Sequence, residues 1–241
     1  MTATASPSHT AATADAPVRR QRRRDFGRSL RWLELGALAY AISLAAAIWF
    51  NADPANVLAP VVGPSVLLTP VFGMPWVVMS LHRRGRIRRA VYFLILLPIA
   101  HAAANYLAWL YATENYRFVT DGLAFQRHMI SGAIGGAVGA ALSLALLVPL
   151  RLAPYRRSSF WFAFWGTIVL AAVGSWGMAW GLEWTDPMVP QDDAGKLIVW
   201  FLCVHLPWQA VFALFLAGMM RIPVKNRRPA VPPVRSAPAT G

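Results

Sequence analysis

The sequence predicts an all-α, polytopic membrane protein, a bundle of six transmembrane helices with both termini in the cytoplasm. Three observations carry that expectation. Of the 241 residues, 57% are apolar and only 14% are charged, where a soluble chain has about 25% charged residues. The apolar residues gather into runs of about 20 or more, the length that a helix rising about 1.5 Å per residue needs to cross about 30 Å of hydrocarbon. The basic residues cluster between alternate runs.

The elements follow in chain order. Residues 1–29 are polar and Ala/Thr/Ser-rich at first, then strongly basic, and are expected to form a disordered cytoplasmic tail. The first apolar run starts only after residue 30 and lacks a small-residue cleavage site, so a cleaved signal peptide is not expected. The expected membrane domain, 30–220, contains spans at about 30–50, 55–81, 90–113, 129–150, 158–182 and 197–220. The last five contain no Asp, Glu, Lys or Arg, and the first has only Arg31 and Glu34, both near its start. Strands are excluded for such runs, because an open sheet edge in lipid leaves backbone groups unpaired. Residues 221–241 read as a basic, Pro-rich cytoplasmic tail.

Charge sets the expected orientation. The N-terminal segment holds seven basic residues, the second connector five, the fourth three and the C-terminal segment five, together 20 of the 23. The other three connectors hold only Arg117, Arg127 and Lys196, with seven of the ten acids. Basic loops stay on the cytoplasmic side, which places both termini there. The Arg- and Ala-rich composition suits a bacterial inner membrane. A net charge of +13 would suggest nucleic acid in a soluble chain. Here the clusters flank apolar runs, so the expected partner is a bilayer with anionic headgroups and not nucleic acid.

Two spans have unusual composition. The fourth carries Ser131, Gly135 and Gly139 on one face, with Gly132 and Gly136 in a second row beside it. Small residues let helices approach closely in lipid, where water supplies no drive. These rows predict either a central, tightly packed helix or a seam with a homodimer or another membrane protein. The second span carries Pro60, Pro64, Pro70 and Pro75. Each interior proline removes a backbone donor, so this span is either bent or broken, and broken spans often line ligand sites.

Ionisable groups inside a membrane are costly and therefore informative. His101 lies midway along the third span with Asn105 four residues on, and His205 lies in the sixth. Counting residues from the span ends puts all three in one half of the bundle, as a candidate intramembrane polar site. Three readings stay open: hydrogen bonding between helices, a site for a proton or small polar solute, and axial ligation of a b-type haem. His82 and His128 sit near span ends and read as interfacial. The single Cys203 allows no internal disulfide. No P-loop, His-Glu-x-x-His or Gly-x-Ser-x-Gly pattern occurs, so an enzyme is not expected. The sequence-level expectation is a protein that binds or transports a small solute or ion through the polar site. The alternatives are a non-catalytic accessory or sensor subunit, and a haem or quinone redox protein.

Overall fold

A computed structural model describes residues 11–50, 54–115, 124–185 and 194–220. Among these residues the chain is all-helical. Five helices are long and apolar enough to cross a membrane, which marks a multi-pass membrane protein. The expected C-terminal tail and the acid-bearing connector segments at 51–53, 116–123 and 186–193 lie outside the described residues.

Helix α1 runs Ala11–Phe50. It therefore begins well before the expected start at 30, and the segment expected to be a disordered tail is helical from Ala11. Ala and Arg are both strong helix formers, and a span already nucleated in lipid extends outward through them at little cost. Within the apolar part, Leu33, Ala37, Tyr40, Leu44 and Ile48 recur at helical spacing and are buried. The opposite face exposes Leu38 at 53% and Ile42 at 62%. An apolar exposed face is the signature of a lipid-facing helix.

The second expected span is broken into α2 (Pro54–Val57), α3 (Pro64–Leu67) and α4 (Thr69–Met79). The chemistry of proline accounts for where the interruptions fall. Pro60 sits in the non-helical stretch between α2 and α3. Gly63 is extended at φ −66 and ψ 162, the region to which a residue preceding proline is confined. Pro64 then starts α3 and Pro70 lies in the first turn of α4, positions where a missing donor costs no helical bond. Of the two outcomes left open, bent or broken, the span is broken at Pro60, Pro64 and Pro70, whereas Pro75 lies inside continuous α4. The break is held by side chains. Tyr40 Oη donates to the Ser65 carbonyl at 2.8 Å, and Thr69 Oγ1 donates to the same oxygen at 3.2 Å. Replacing Tyr40 by phenylalanine is expected to cost about 1 kcal/mol, measured as a lower unfolding midpoint in a detergent titration.

The third span is one long helix, Arg86–Asn115, built from α5 (Arg86–Val91), a π turn at Tyr92–Leu96 and α6 (Leu97–Asn115). The π turn directly precedes Pro98, and Leu97 N–H reaches back to the Tyr92 carbonyl. A π bulge lets the helix continue through a position that lacks a donor. Helices α7 (Ala124–Leu146), α8 (Arg157–Thr185) and α9 (Ala194–Met219) complete the set. Pro207 lies inside α9 and frees the Cys203 carbonyl four residues back. That oxygen faces Gly177 of α8, where an added Cβ would stand 2.5 Å from it.

Each span packs mainly against its neighbours in sequence, and α1 closes the ring by packing on both α4 and α9. The expected central position of the fourth span is therefore corrected: α7 is one member of a ring, lying between α6 and α8. Its two rows of small residues serve different neighbours. Gly132 and Gly136 meet the α8 backbone at Gly174 and Leu170, whereas Gly135 and Gly139 face Ala108 and Ala104 of α6. Ser131 Oγ donates to the Ala108 carbonyl at 3.0 Å. Both rows thus face helices of the same chain. The ring allows each helix to present one stripe inward and another to lipid. Trp165 and Trp176 point outward on α8 at 57% and 53% exposure.

Candidate functional site

The interior of the ring is filled toward one end by aromatic rings. Trp76, Tyr92, Phe93, Phe72 and Phe212 are all fully buried. Phe72 packs on Phe212 at 5.9 Å between centroids, and Phe93 on Trp76 at 5.6 Å. Above this floor lies a cavity of about 440 Å³. It extends toward the end where α6 finishes and α7 begins, and there Arg127 ties the Asn115 carbonyl at 2.8 Å. Trp109, Ala124 and His128 line that upper part. His128, read from sequence as interfacial, is a wall residue of the cavity mouth.

His101, Asn105 and His205 all line this cavity. His101 and Asn105 are four residues apart on α6 and so share a face. The His101 and His205 rings meet edge-on with centroids 5.1 Å apart. His205 also stacks on Phe201 at 5.7 Å and meets Tyr40 at 6.0 Å. Rings in direct contact leave no slab for a porphyrin between them, so the geometry does not fit bis-histidine haem ligation.

The broken span forms the wall beside α6. Ser65 and Thr69, one turn apart, both reach the site. Asn105 Nδ2 donates to Ser65 Oγ at 3.3 Å, and Thr69 Oγ1 lies 2.6 Å from His101 Nδ1. The Thr69 hydroxyl has one proton, and it goes to the Ser65 carbonyl. With the proton assigned there, Thr69 accepts from His101 Nδ1–H, and His101 Nε2 is left as an acceptor. The break acts on the site through Ser65: its carbonyl orients Thr69, and Thr69 orients His101.

Gln209, Ser65 and Thr69 were not read from the sequence as site residues. Gln209 lies one helical turn beyond His205, lines the cavity and is buried, with Oε1 unpartnered among the described residues. Trp208 Nε1 is likewise buried without a partner there. The signal available for Gln209 was its spacing of four from His205 in an uncharged span. Ser65 and Thr69 show the same spacing.

Among the described residues no Asp, Glu, Lys or Arg lines the cavity, and the walls are otherwise mostly apolar or aromatic. A charged solute entering it would lose its hydration with no counter-charge to replace it. The site can bind a neutral molecule through one acceptor at His101 Nε2, an acceptor at Gln209 Oε1 and a donor at Trp208 Nε1. Among the described residues, no group of three or more His, Cys, Asp or Glu side chains could hold a metal ion. Comparisons of the chain with known protein families, with curated proteins and with solved structures give no match.

Proposed function

We propose that this protein binds a small, uncharged, largely apolar molecule in the ring interior, anchoring its polar group at His101, Asn105, His205 and Gln209. One observation carries the reading: a cavity of about 440 Å³ that combines apolar walls, a cluster of neutral hydrogen-bonding groups and, among the described residues, no charged lining side chain. That size and lining are those of small-molecule sites, which span about 300–1,000 Å³. The absence of charge narrows the sequence-level expectation of a solute or ion to a neutral solute. Quinones belong to this class; haem held between the two histidines does not.

The chain is proposed to cross a bacterial inner membrane six times, the broken α2–α4 segment supplying the crossing that the five long helices lack. Its termini are proposed to be cytoplasmic, from the arginine-rich connectors on that side. The cavity then faces away from the cytoplasm, above the aromatic floor. Carriage of the solute across the bilayer would require that floor to part. Reporter fusions after residues 115 and 185 should read as periplasmic and one after residue 155 as cytoplasmic; the opposite pattern would invert the orientation.

The binding test uses two probes with one ring system, neutral N-phenyl-1-naphthylamine and anionic 8-anilinonaphthalene-1-sulfonate. Full-length protein in lipid nanodiscs is excited at tryptophan, because Trp109, Trp200 and Trp208 line the cavity. The expected result is saturable energy transfer to the neutral probe above that of empty nanodiscs, and none to the anion. Equal transfer to both, or no saturable component, would discard the reading. Competition by decylubiquinone would narrow the class to quinones.

A further inference from the structure

The other end of the ring holds a second cavity, of about 540 Å³. It lies where the α4–α5 turn, the α7–α8 connection and the end of α9 meet. Arg84, Arg88, Arg89 and Arg151 line it together with Trp76 and Tyr155. Arg89 is the informative one. It is only 2% exposed, and its guanidinium donates to three carbonyls: Arg84 at 2.7 Å, Ser80 at 2.7 Å and Arg83 at 3.0 Å. It also sits over the Trp76 ring at 5.6 Å. These contacts satisfy N–H donors but bring no negative charge. Among the described residues Arg89 Nε has no hydrogen-bond partner and no acidic residue lines the cavity.

A buried guanidinium without a counter-ion, beside further arginines, is a costly arrangement unless an anion completes it. Arg151 adds backbone strain. It adopts φ 56, a region that a residue with a side chain rarely enters, and it holds its side chain at the cavity rim. Arginine is the residue suited to phosphate, through paired planar donors. We propose that this cavity binds a phosphate-bearing anion, held by Arg88, Arg89 and Arg151. The phosphate comes either from an anionic phospholipid headgroup or from a soluble phosphate compound. The site is separate from the neutral cavity, from which the aromatic floor divides it.

The test measures thermal unfolding of delipidated full-length protein in neutral detergent, at constant ionic strength. Three additives are titrated: dihexanoyl phosphatidylglycerol, dihexanoyl phosphatidylcholine and inorganic phosphate. Arg88 and Arg151 are exposed, so Arg88→Gln with Arg151→Gln should fold, as its unliganded midpoint will report. Wild-type protein is expected to show a saturable rise of about 5 °C with an anion in large excess over its Kd. The double variant should need about tenfold more for half the rise. A rise with phosphatidylglycerol alone assigns the phosphate to lipid, whereas a rise with inorganic phosphate as well assigns it to a soluble compound. The proposal is overturned if neither anion stabilises, if the zwitterionic lipid stabilises equally, or if the double variant titrates like wild type.

Discussion

Gly136→Ala is expected to abolish recovery of folded protein, or to lower its unfolding midpoint by about 10 °C, while Gly139→Ala raises it by about 2–4 °C. The two glycines lie less than one turn apart on α7 and differ only in what they face. A Cβ at Gly136 would stand 2.5 Å from the Leu170 carbonyl oxygen and 3.1 Å from the Ala171 Cα. Those atoms belong to helical backbone, which cannot rotate aside as a side chain can. The overlap therefore forces α7 and α8 apart along their whole crossing. Overpacking costs about 1–3 kcal/mol where side chains can yield, and rigid backbone puts this case at the upper end or beyond. At Gly139 the nearest atoms would be the Ala104 Cβ and the Trp208 ring, each at 3.4 Å, which is ordinary contact. There the gain in helix propensity, about 1 kcal/mol for Ala over Gly, has nothing to oppose it. Gly132→Ala should behave like Gly136→Ala, because its Cβ would fall on the Gly174 carbonyl. Equal midpoints for Gly136→Ala and Gly139→Ala would mean that α7 and α8 do not cross through backbone contact.

This contrast marks how far the sequence could be read. The spacing of small residues in α7 was plain, but not which row met which helix. Both rows have the same composition, and only the order of helices around the ring assigns one to α8 and the other to α6. The long helices were legible because lipid imposes a simple rule of length and charge. The start of α1 was not, because that rule is silent on a helix continuing into water, where Ala and Arg favour it. In the second span the presence of irregularity was legible from four prolines. Its location was not, since Pro64 and Pro70 start helices and Pro75 is absorbed within one. The π turn before Pro98 and the proline inside α9, Pro207, went unread. Counting from the span ends placed His101, Asn105 and His205 in one half of the bundle, but only the order of helices around the ring brings the two histidine rings together.

The largest functional effect is expected at His101. His101→Leu should weaken binding of N-phenyl-1-naphthylamine by about tenfold, the equivalent of one hydrogen bond of about 1.4 kcal/mol. The argument runs through the tautomer. Tyr40 and Thr69 both donate to the Ser65 carbonyl, so Thr69 accepts from His101 Nδ1 across 2.6 Å. Nε2 is then an acceptor, and the probe's single N–H is its only donor. A lost affinity could also come from altered packing, so the test compares a second ligand, 1-phenoxynaphthalene, which has the same rings and an ether oxygen in place of N–H. This ligand should bind the wild type about tenfold more weakly, and His101→Leu should leave its affinity unchanged. Thr69→Val gives an independent arm. Removing the hydroxyl frees Nδ1, the imidazole can present either face, and discrimination between the two ligands should narrow while total binding persists. If His101→Leu weakens both ligands equally, the histidine fills space in the cavity and reads nothing. The neutral polar cluster would then be a packing device between α6, α9 and the broken span.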